Sequence, residues 1–556
     1  MSATPTLGCQ IAPDYEHDRH LSSSDSESTA TEDEEEQVEP EETDGTLDIE
    51  KAETQRDTVP TRTTTRATRP ATLQKGRTRS SRKEPPEEPA GFWHWKMAGV
   101  RLHVIKLWVR TNLILAGAIF AFLCLFWGAL FPQADRIQSL GVWVVDFDGQ
   151  PPYNNVTPFV GPFVTRSIQG IVDAGGPHLG YTFRPPSDFD NDPLKVRESV
   201  FDFKAWAAVV INPNATAMLD AAVRQGNASY DPLGACQIIL NSARDQGTAS
   251  SYIVPGIIAV QKIAVSNFGR AWVTHLLQNS SASDLNLDVA PQAISPGIEF
   301  TQYDLRPFGP PIATPAVSIG LIYLIILSFF SFTFFLPIHM KYLSPRGHPP
   351  LLFHHLIVWR YTATVVSYFF LSLIYSLVSL AYLMPMDRPK GSRVWPVKNP
   401  NAYGRGTFPV YWMVNWIGMT ALGLASENMA MLLGTPWTAL WLIFWVISNV
   451  ATGFYPIPLA PDFYRWGYAW PIHNVAELTR QILFDLHPRT GLNFGILLAW
   501  CVIGTALFPL CCYYMRWNTM RVKRQAAQRE AEWKEKMEKE REHPGLLARV
   551  TTAGKK

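Results

Sequence analysis

NLILAGAIFAFLCLFWGALF, the twenty residues Asn112 to Phe131, contains no charged side chain. At ~1.5 Å per residue, a helix of about this length crosses a hydrocarbon core of ~30 Å. Arg101, Lys106 and Arg110 stand just before it, with His103 among them. An excess of basic residues holds a flank in the cytoplasm. The run therefore predicts an uncleaved signal anchor, with residues 91–135 forming a juxtamembrane segment and the first transmembrane helix. The preceding chain stays cytoplasmic and the following chain is translocated. Nothing in the first 30 residues resembles the apolar stretch of a cleaved signal peptide.

Upstream, residues 1–90 read as a disordered cytoplasmic tail. Ser22–Glu50 holds thirteen Asp or Glu and no Lys or Arg, whereas Lys51–Lys83 holds ten Lys or Arg against Glu53 and Asp57. Such blocks bury too little apolar surface to offset the entropy of ordering. Ser22, Ser24, Thr29 and Thr31 each precede an acidic residue by three positions, which suits acid-directed kinases. Phosphate there deepens the acidic block. Across all 556 residues, 48 acidic and 49 basic side chains nearly cancel and only 17% are charged, against ~25% in ordinary soluble proteins. A net charge of +1 gives no long-range pull on nucleic acid. Six cysteines in this length exclude a disulfide scaffold.

Downstream, residues 136–306 change character and predict an extracytoplasmic α/β domain. LGVWVVDFDG (140–149), AWAAVVINP (205–213) and CQIILN (236–241) are buried-strand runs, with helical stretches at Phe159–Ile171, Thr216–Arg224 and Ile253–Leu277. The chain's four N-glycosylation sequons, at Asn155, Asn214, Asn227 and Asn279, all fall in this segment. That agrees with a lumenal or extracellular placement. Cys236 is the domain's lone cysteine and reads as a buried thiol.

Residues 307–515 then predict five more spans, at about 315–336, 356–384, 408–427, 429–452 and 491–514. Six crossings put both termini in the cytoplasm, consistent with His339, Lys341, Arg346 and His348 after the second span. Arg516, Arg521, Lys523 and Arg524 after the sixth agree. The 385–407 loop, with Arg388, Lys390, Arg393, Lys398 and Arg405, runs against this topology. Residues 516–556 form a charged cytoplasmic tail with Lys, Arg and Glu at helical spacing, suited to an anionic leaflet.

Chemistry is sparse. No phosphate loop, nucleophile elbow or metal-ligand spacing occurs, and His354-His355 would face different sides of a helix. No catalytic, cofactor or metal site is expected, and the chain does not read as an enzyme. Polar groups at membrane depth are the better clue, because they are costly there and usually functional. Arg360 in the third span and Glu427 at the end of the fourth lie at matching depth, which predicts an ion pair; it locks two helices or serves gating or substrate passage, the alternative being that each side chain snorkels separately. Asn415 and Asn449 read as interhelical hydrogen-bond donors. The segment 453–488, GFYPIPLAPDFYRWGYAWPIHNVAELTRQILFDLHP, is broken by Pro456, Pro458 and Pro461 and then turns helical from Ile472 to Leu486. It predicts a re-entrant or interface-lying element, covered by protein or water.

One span, a large external domain and five spans with P-x-P-x-x-P…WGYAWP…E-x-x-R before the last resemble an ABC-2-type permease. VVDFDG, AAVVINPNAT and the 453–485 element together resemble the fungal nitrosoguanidine-resistance family of membrane proteins, over roughly residues 100–515. The resemblance implies a six-helix, ABC-2-permease-like fold and a link to drug resistance or lipid distribution, with no catalytic residues to carry over. The connection 337–355, broken by Pro345, Pro349 and Pro350, departs from the coupling helix an ABC permease presents to its ATPase. The expected function is a permease-like protein of a plasma membrane or endomembrane that acts on a lipid or amphipathic small molecule. It lacks its own ATPase, so a separate ATPase subunit and a homodimer are candidate partners. The competing readings are a non-transporting regulator whose external domain binds a partner, and a membrane enzyme without a motif.

Overall fold

A computed structural model describes residues 91–542, except 95–96, 132, 280–284, 287, 344–346, 348, 387–394, 396–402 and 404–405, with side chains through 535. The 1–90 tail, most of the basic 385–407 loop and residues 543–556 lie outside the described residues.

Helix α1, Ala98–Leu130, keeps one residue buried, Ala129, while Leu113, Phe120 and Trp127 stand exposed. A continuous exposed apolar surface of this length is a lipid-facing surface. The chain then enters a five-stranded sheet with β1 (Gly141–Asp146), β2 (Gly180–Arg184), β3 (Ala207–Ile211), β4 (Cys236–Leu240) and β5 (Phe300–Asp304). The order is β2-β1-β3-β4-β5, parallel except for the antiparallel β3–β4 pair. β3 is buried at every position, as its AAVVI run demands of a strand covered on both faces. Crossover helices α2 (Val160–Asp173), α3 (Pro193–Phe201) and α4 (Ala215–Gln225) cover the sheet, together with α5 (Val254–Asn279). The α/β expectation and its three central strands hold in this geometry, with two edge strands and α3 added.

The order matches a doubly wound sheet, and the end of β1 is drawn into the starts of two helices. Asp148 accepts from Thr216 N (2.9 Å), Thr216 Oγ1 (2.5 Å) and Gly161 N (3.0 Å). Its carboxylate therefore caps the N-termini of α2 and α4 together.

The rest of the chain is helical: α6 (Ile322–Met340), α7 (Phe353–Ala381), α8 (Thr407–Leu433), α9 (Thr438–Gly453), α10 (Pro471–Phe484) and α11 (Thr490–Glu542). In α7 the buried positions Arg360, Thr364, Tyr368, Ser372 and Ser376 recur every four residues, whereas Val358, Val366, Phe370, Ile374 and Val378 are exposed. This stripe is polar inside and apolar outside, the reverse of a water-soluble helix. It is the pattern of helices that associate through small and polar side chains in lipid.

By length and apolarity, five helical runs qualify as membrane spans: Ala98–Leu130, Gln246–Asn279, Pro311–Leu343, Phe353–Ala381 and Thr490–Glu535. The chain is a polytopic integral membrane protein. The second run is α5 with its leading turns, and its Ile257, Val260, Ala264, Phe268 and Trp272 lie in the core of the α/β domain. α8, which carries Asn415, Glu427 and Asn428, and the 16-residue α9 are not among these runs. Of the six expected spans, those at α1, α6, α7 and α11 have this length and apolarity, with shifted bounds. Residues 429–433 belong to α8, which ends where Gly434 adopts φ +66°, a conformation that favours glycine. The expected charged tail is, through Glu542, one helix with the last apolar run.

Candidate functional site

Starting from Thr490, Cys512 lies 22 residues along α11, about 33 Å at 1.5 Å per residue. The site at that depth is therefore at the end of the bundle far from the α/β domain. Arg360, seven residues into α7, places Nη2 2.8 Å from Glu427 Oε1 on α8. Both side chains are 3% exposed. The other terminal nitrogen, Nη1, meets only sulfur, Met431 Sδ at 3.5 Å and Cys512 Sγ at 3.6 Å, and the guanidinium stands 5.5 Å over the Phe508 ring. A buried charge survives only when paired, so the pair ties α7 and α8 at this depth.

Arg360 also forms part of the wall of a cavity of about 550 Å³. Leu352, Leu356 and Ile357 line it from the α7 side, Met515 and Met520 from α11, and Pro350 and Leu351 from the connection before α7. Arg516, Thr519 and Lys523 also line it, and Arg516 lies 4.4 Å over the Phe353 ring. The arrangement is an apolar chamber with cations on its border. The connection expected to lack a coupling helix has one 3₁₀ turn, Lys341–Leu343, among its described residues. Of its prolines, Pro350 lines the chamber. His354 and His355 are exposed beside each other, ring centroids 4.3 Å apart.

The two asparagines differ. Asn415 Nδ2 donates to Ser376 Oγ of α7 at 3.0 Å, an interhelical bond. Asn449 departs from its expected role. Its Nδ2 donates within α9 to Trp445 O (2.9 Å), and its Oδ1 accepts from Ile472 N at the start of α10 (3.2 Å). It serves as an acceptor across the interface because the first turn of α10 has backbone N–H groups without intrahelical partners.

In the 453–488 element the helical part is buried, whereas Asp462, Phe463, Arg465 and Tyr468 before it are exposed. Its first part makes two short 3₁₀ turns, Ile457–Leu459 and Asp462–Ala469, and twelve of the fourteen residues of α10 are buried. Trp470, just before α10, packs 5.6 Å from Trp500, which is ten residues (~15 Å) into α11. At the other end, Asp485 bonds the α/β domain. The element thus dips into the bundle and returns. Gly418 of α8 permits it, because a Cβ there would stand 2.6 Å from Val475 Cγ2.

Three ties between this element and the domain escaped sequence reading. Arg306, 1% exposed, directs Nη2 to Asp485 Oδ2 (2.7 Å), Nε to Asp485 O (3.2 Å) and Nη1 to Leu305 O (2.8 Å) and Trp395 O (2.6 Å). Arg480 meets Asp245 at 3.2 Å and Glu477 at 3.2 Å, and His487 meets Asp202 at 3.3 Å. None carries a motif; the signal available was the E-x-x-R pair itself, Glu477 and Arg480. Of the sequon asparagines, Asn155, Asn227 and Asn279 are exposed, and Asn214 is half-buried just before α4. Among the described residues no group of His, Cys, Asp and Glu could hold a metal.

Comparison with known proteins bears on this architecture. Over 469 residues the chain is 28% identical to an uncharacterized endoplasmic reticulum membrane protein of Saccharomyces cerevisiae, covering 79% of this chain and 88% of the relative. No solved structure matches it. The model of the family described as protein of unknown function, DUF3533, matches residues 111–506, from the first apolar helix through the last. The chain belongs to that family.

Proposed function

We propose that this protein is a permease-like carrier for a lipid or amphipathic small molecule. The observation that carries the reading is the apolar chamber of about 550 Å³ bordered by Arg360, Arg516 and Lys523. Its size lies within the ~300–1,000 Å³ of small-ligand sites, and its lining suits an acyl chain beneath an anionic or polar headgroup. The Arg360–Glu427 pair gives that wall a polar element that can exchange partners when the ligand moves. In this reading six helices cross the membrane in an ABC-2-like plan. Both termini are cytoplasmic, and the α/β domain with its four sequons is lumenal or extracellular. The resemblance to nitrosoguanidine-resistance proteins favours an effect on drug resistance, and the relative favours the endoplasmic reticulum. ATP, if used, comes from a separate subunit, and a homodimer would complete the permease plan.

A second reading, a non-transporting regulator whose α/β domain binds a partner, draws on the ties of Arg306 and Arg480 between domain and bundle. The deciding experiment uses purified full-length protein in liposomes carrying a short-chain fluorescent phospholipid, with and without ATP. Carrier function predicts redistribution above protein-free liposomes. Redistribution at background under both conditions favours the regulator.

A further inference from the structure

A second cavity, about 350 Å³, lies where the α/β domain meets the dipping element and the start of α11. Three arginines line it, Arg244, Arg480 and Arg489, against two carboxylates, Asp245 and Glu477, a balance of +1 with His473 neutral. The carboxylates are already engaged. Asp245 caps the Thr248 N–H (2.8 Å) and bonds Arg480, and Glu477 bonds the other arm of Arg480. Neither Arg244 nor Arg489 has a carboxylate within ion-pair distance among the described residues.

These two cations are held by other means. Arg244 donates to Ala205 O at 2.9 Å, and its guanidinium lies 3.7 Å from the Trp206 ring centroid and 4.5 Å from that of Phe203. Arg489 approaches the same Phe203 from 5.4 Å. Burial lowers Arg244 to about 10, against the opposing pull of the Glu477 and Asp245 charges and with Arg489 adding to the lowering, so it remains protonated at neutral pH. A fork of donors fixed by ring stacking, partly desolvated and without a carboxylate in direct contact, matches the geometry of a phosphate or carboxylate. The cavity's other flank is apolar. Ile457, Leu492 and Ile496 line it, and Leu492 is 64% exposed on the surface of α11. That surface continues into the lipid-facing side of the helix.

We propose that this junction cavity binds the phosphate group of an anionic amphiphile, with Arg244 and Arg489 on the phosphate and Leu492 and Ile496 beside the chain. The site is separate from the chamber at Arg360 and does not rest on the carrier reading. Bound phosphate would add a bridge between domain and bundle alongside Arg480.

The test uses delipidated full-length protein and native mass spectrometry with phosphatidic acid and with phosphatidylcholine of the same chains. A thermal-shift titration with glycerol 3-phosphate accompanies it. Expected is binding of phosphatidic acid at least tenfold tighter than phosphatidylcholine, lost at least tenfold in Arg244→Gln/Arg489→Gln. The Arg166→Gln/Lys262→Gln protein, altered at exposed positions of the α/β domain that line neither cavity, should retain it. Stabilisation by glycerol 3-phosphate that the same double variant abolishes would support the site with a soluble anion as its source. Equal binding of the two lipids without a glycerol 3-phosphate shift, or unchanged binding in a double variant that melts like wild type, would overturn it. Should the double variant fail to fold, Arg489→Gln alone, at an exposed position, carries the same expectation.

Discussion

The two ends of the helical bundle handle charge in opposite ways. Far from the α/β domain, Arg360 meets Glu427 one to one, both 3% exposed, among methionine, cysteine and phenylalanine. At the domain junction, five charged groups share a cavity, arginine is in excess, and aromatic rings hold what carboxylates do not. The difference follows from the surroundings. In hydrocarbon an unbalanced charge is expensive, so the buried Arg360 is neutralised by pairing, and Arg516 and Lys523, without an ion pair among the described residues, stand exposed. At the junction, water and headgroups can supply the missing counter-charge, so excess cation is tolerable there and available for binding.

Removing one partner at the far end should give the largest effect. Glu427→Leu leaves Arg360 buried without a carboxylate, a cost of ~3–5 kcal/mol. The expected result is loss of the monodisperse species in detergent, with substantial recovery in Arg360→Met/Glu427→Leu. A single variant that melts like wild type would show that the far end is wetter than the comparison requires. Arg306→Ala should follow, at about 2–4 kcal/mol, because it strips the anchor from Asp485 and removes the guanidinium donors to the Asp485, Leu305 and Trp395 carbonyls. Its signature is faster limited proteolysis near residues 485–490, and no change in cleavage would place the domain's attachment elsewhere.

Gly418→Leu probes how deeply the dipping element sits, since Val475 occupies the space a side chain needs. Overpacking predicts a loss of about 1–3 kcal/mol. An unaffected melting midpoint would mean that α10 is not wedged against α8.

The smallest effect expected lies in the α/β domain and has the opposite sign. Burial raises Asp146 from 3.8 to about 6. The folded chain therefore holds this proton more tightly than the unfolded chain. Above pH ~6 the ionised, buried carboxylate lowers stability, and the penalty is relieved as pH falls from about 6 toward 3.8. Asp146→Asn should raise stability at pH 7.5 by on the order of 1–2 kcal/mol, read as a higher melting midpoint, and give no advantage near pH 4. A pH-independent gain would point to packing rather than ionisation.

Legibility in the sequence followed the same divide. β1, β3 and β4 were readable as apolar runs because central strands bury both faces. GYTFR and FTQYD were not, because β2 and β5 are edge strands with mixed burial. The Arg360–Glu427 pair was readable because isolated charges in apolar runs stand out and their depths could be matched. Arg306–Asp485 was not, since its partners lie 179 residues apart and outside any span. The proline-broken segment was recognised as irregular, but its burial depends on the bulk of α8, α9 and α11 around it, which no local pattern records. Asn449 was placed in the bundle correctly, yet its acceptor role depends on where α10 begins.

The most direct test of the carrier account is phospholipid redistribution in proteoliposomes by wild type and by Thr519→Trp, which fills the far chamber from an exposed lining position on α11. The account predicts movement above background for wild type and background movement for the variant, at an unchanged melting midpoint. Equal rates in both proteins would contradict it.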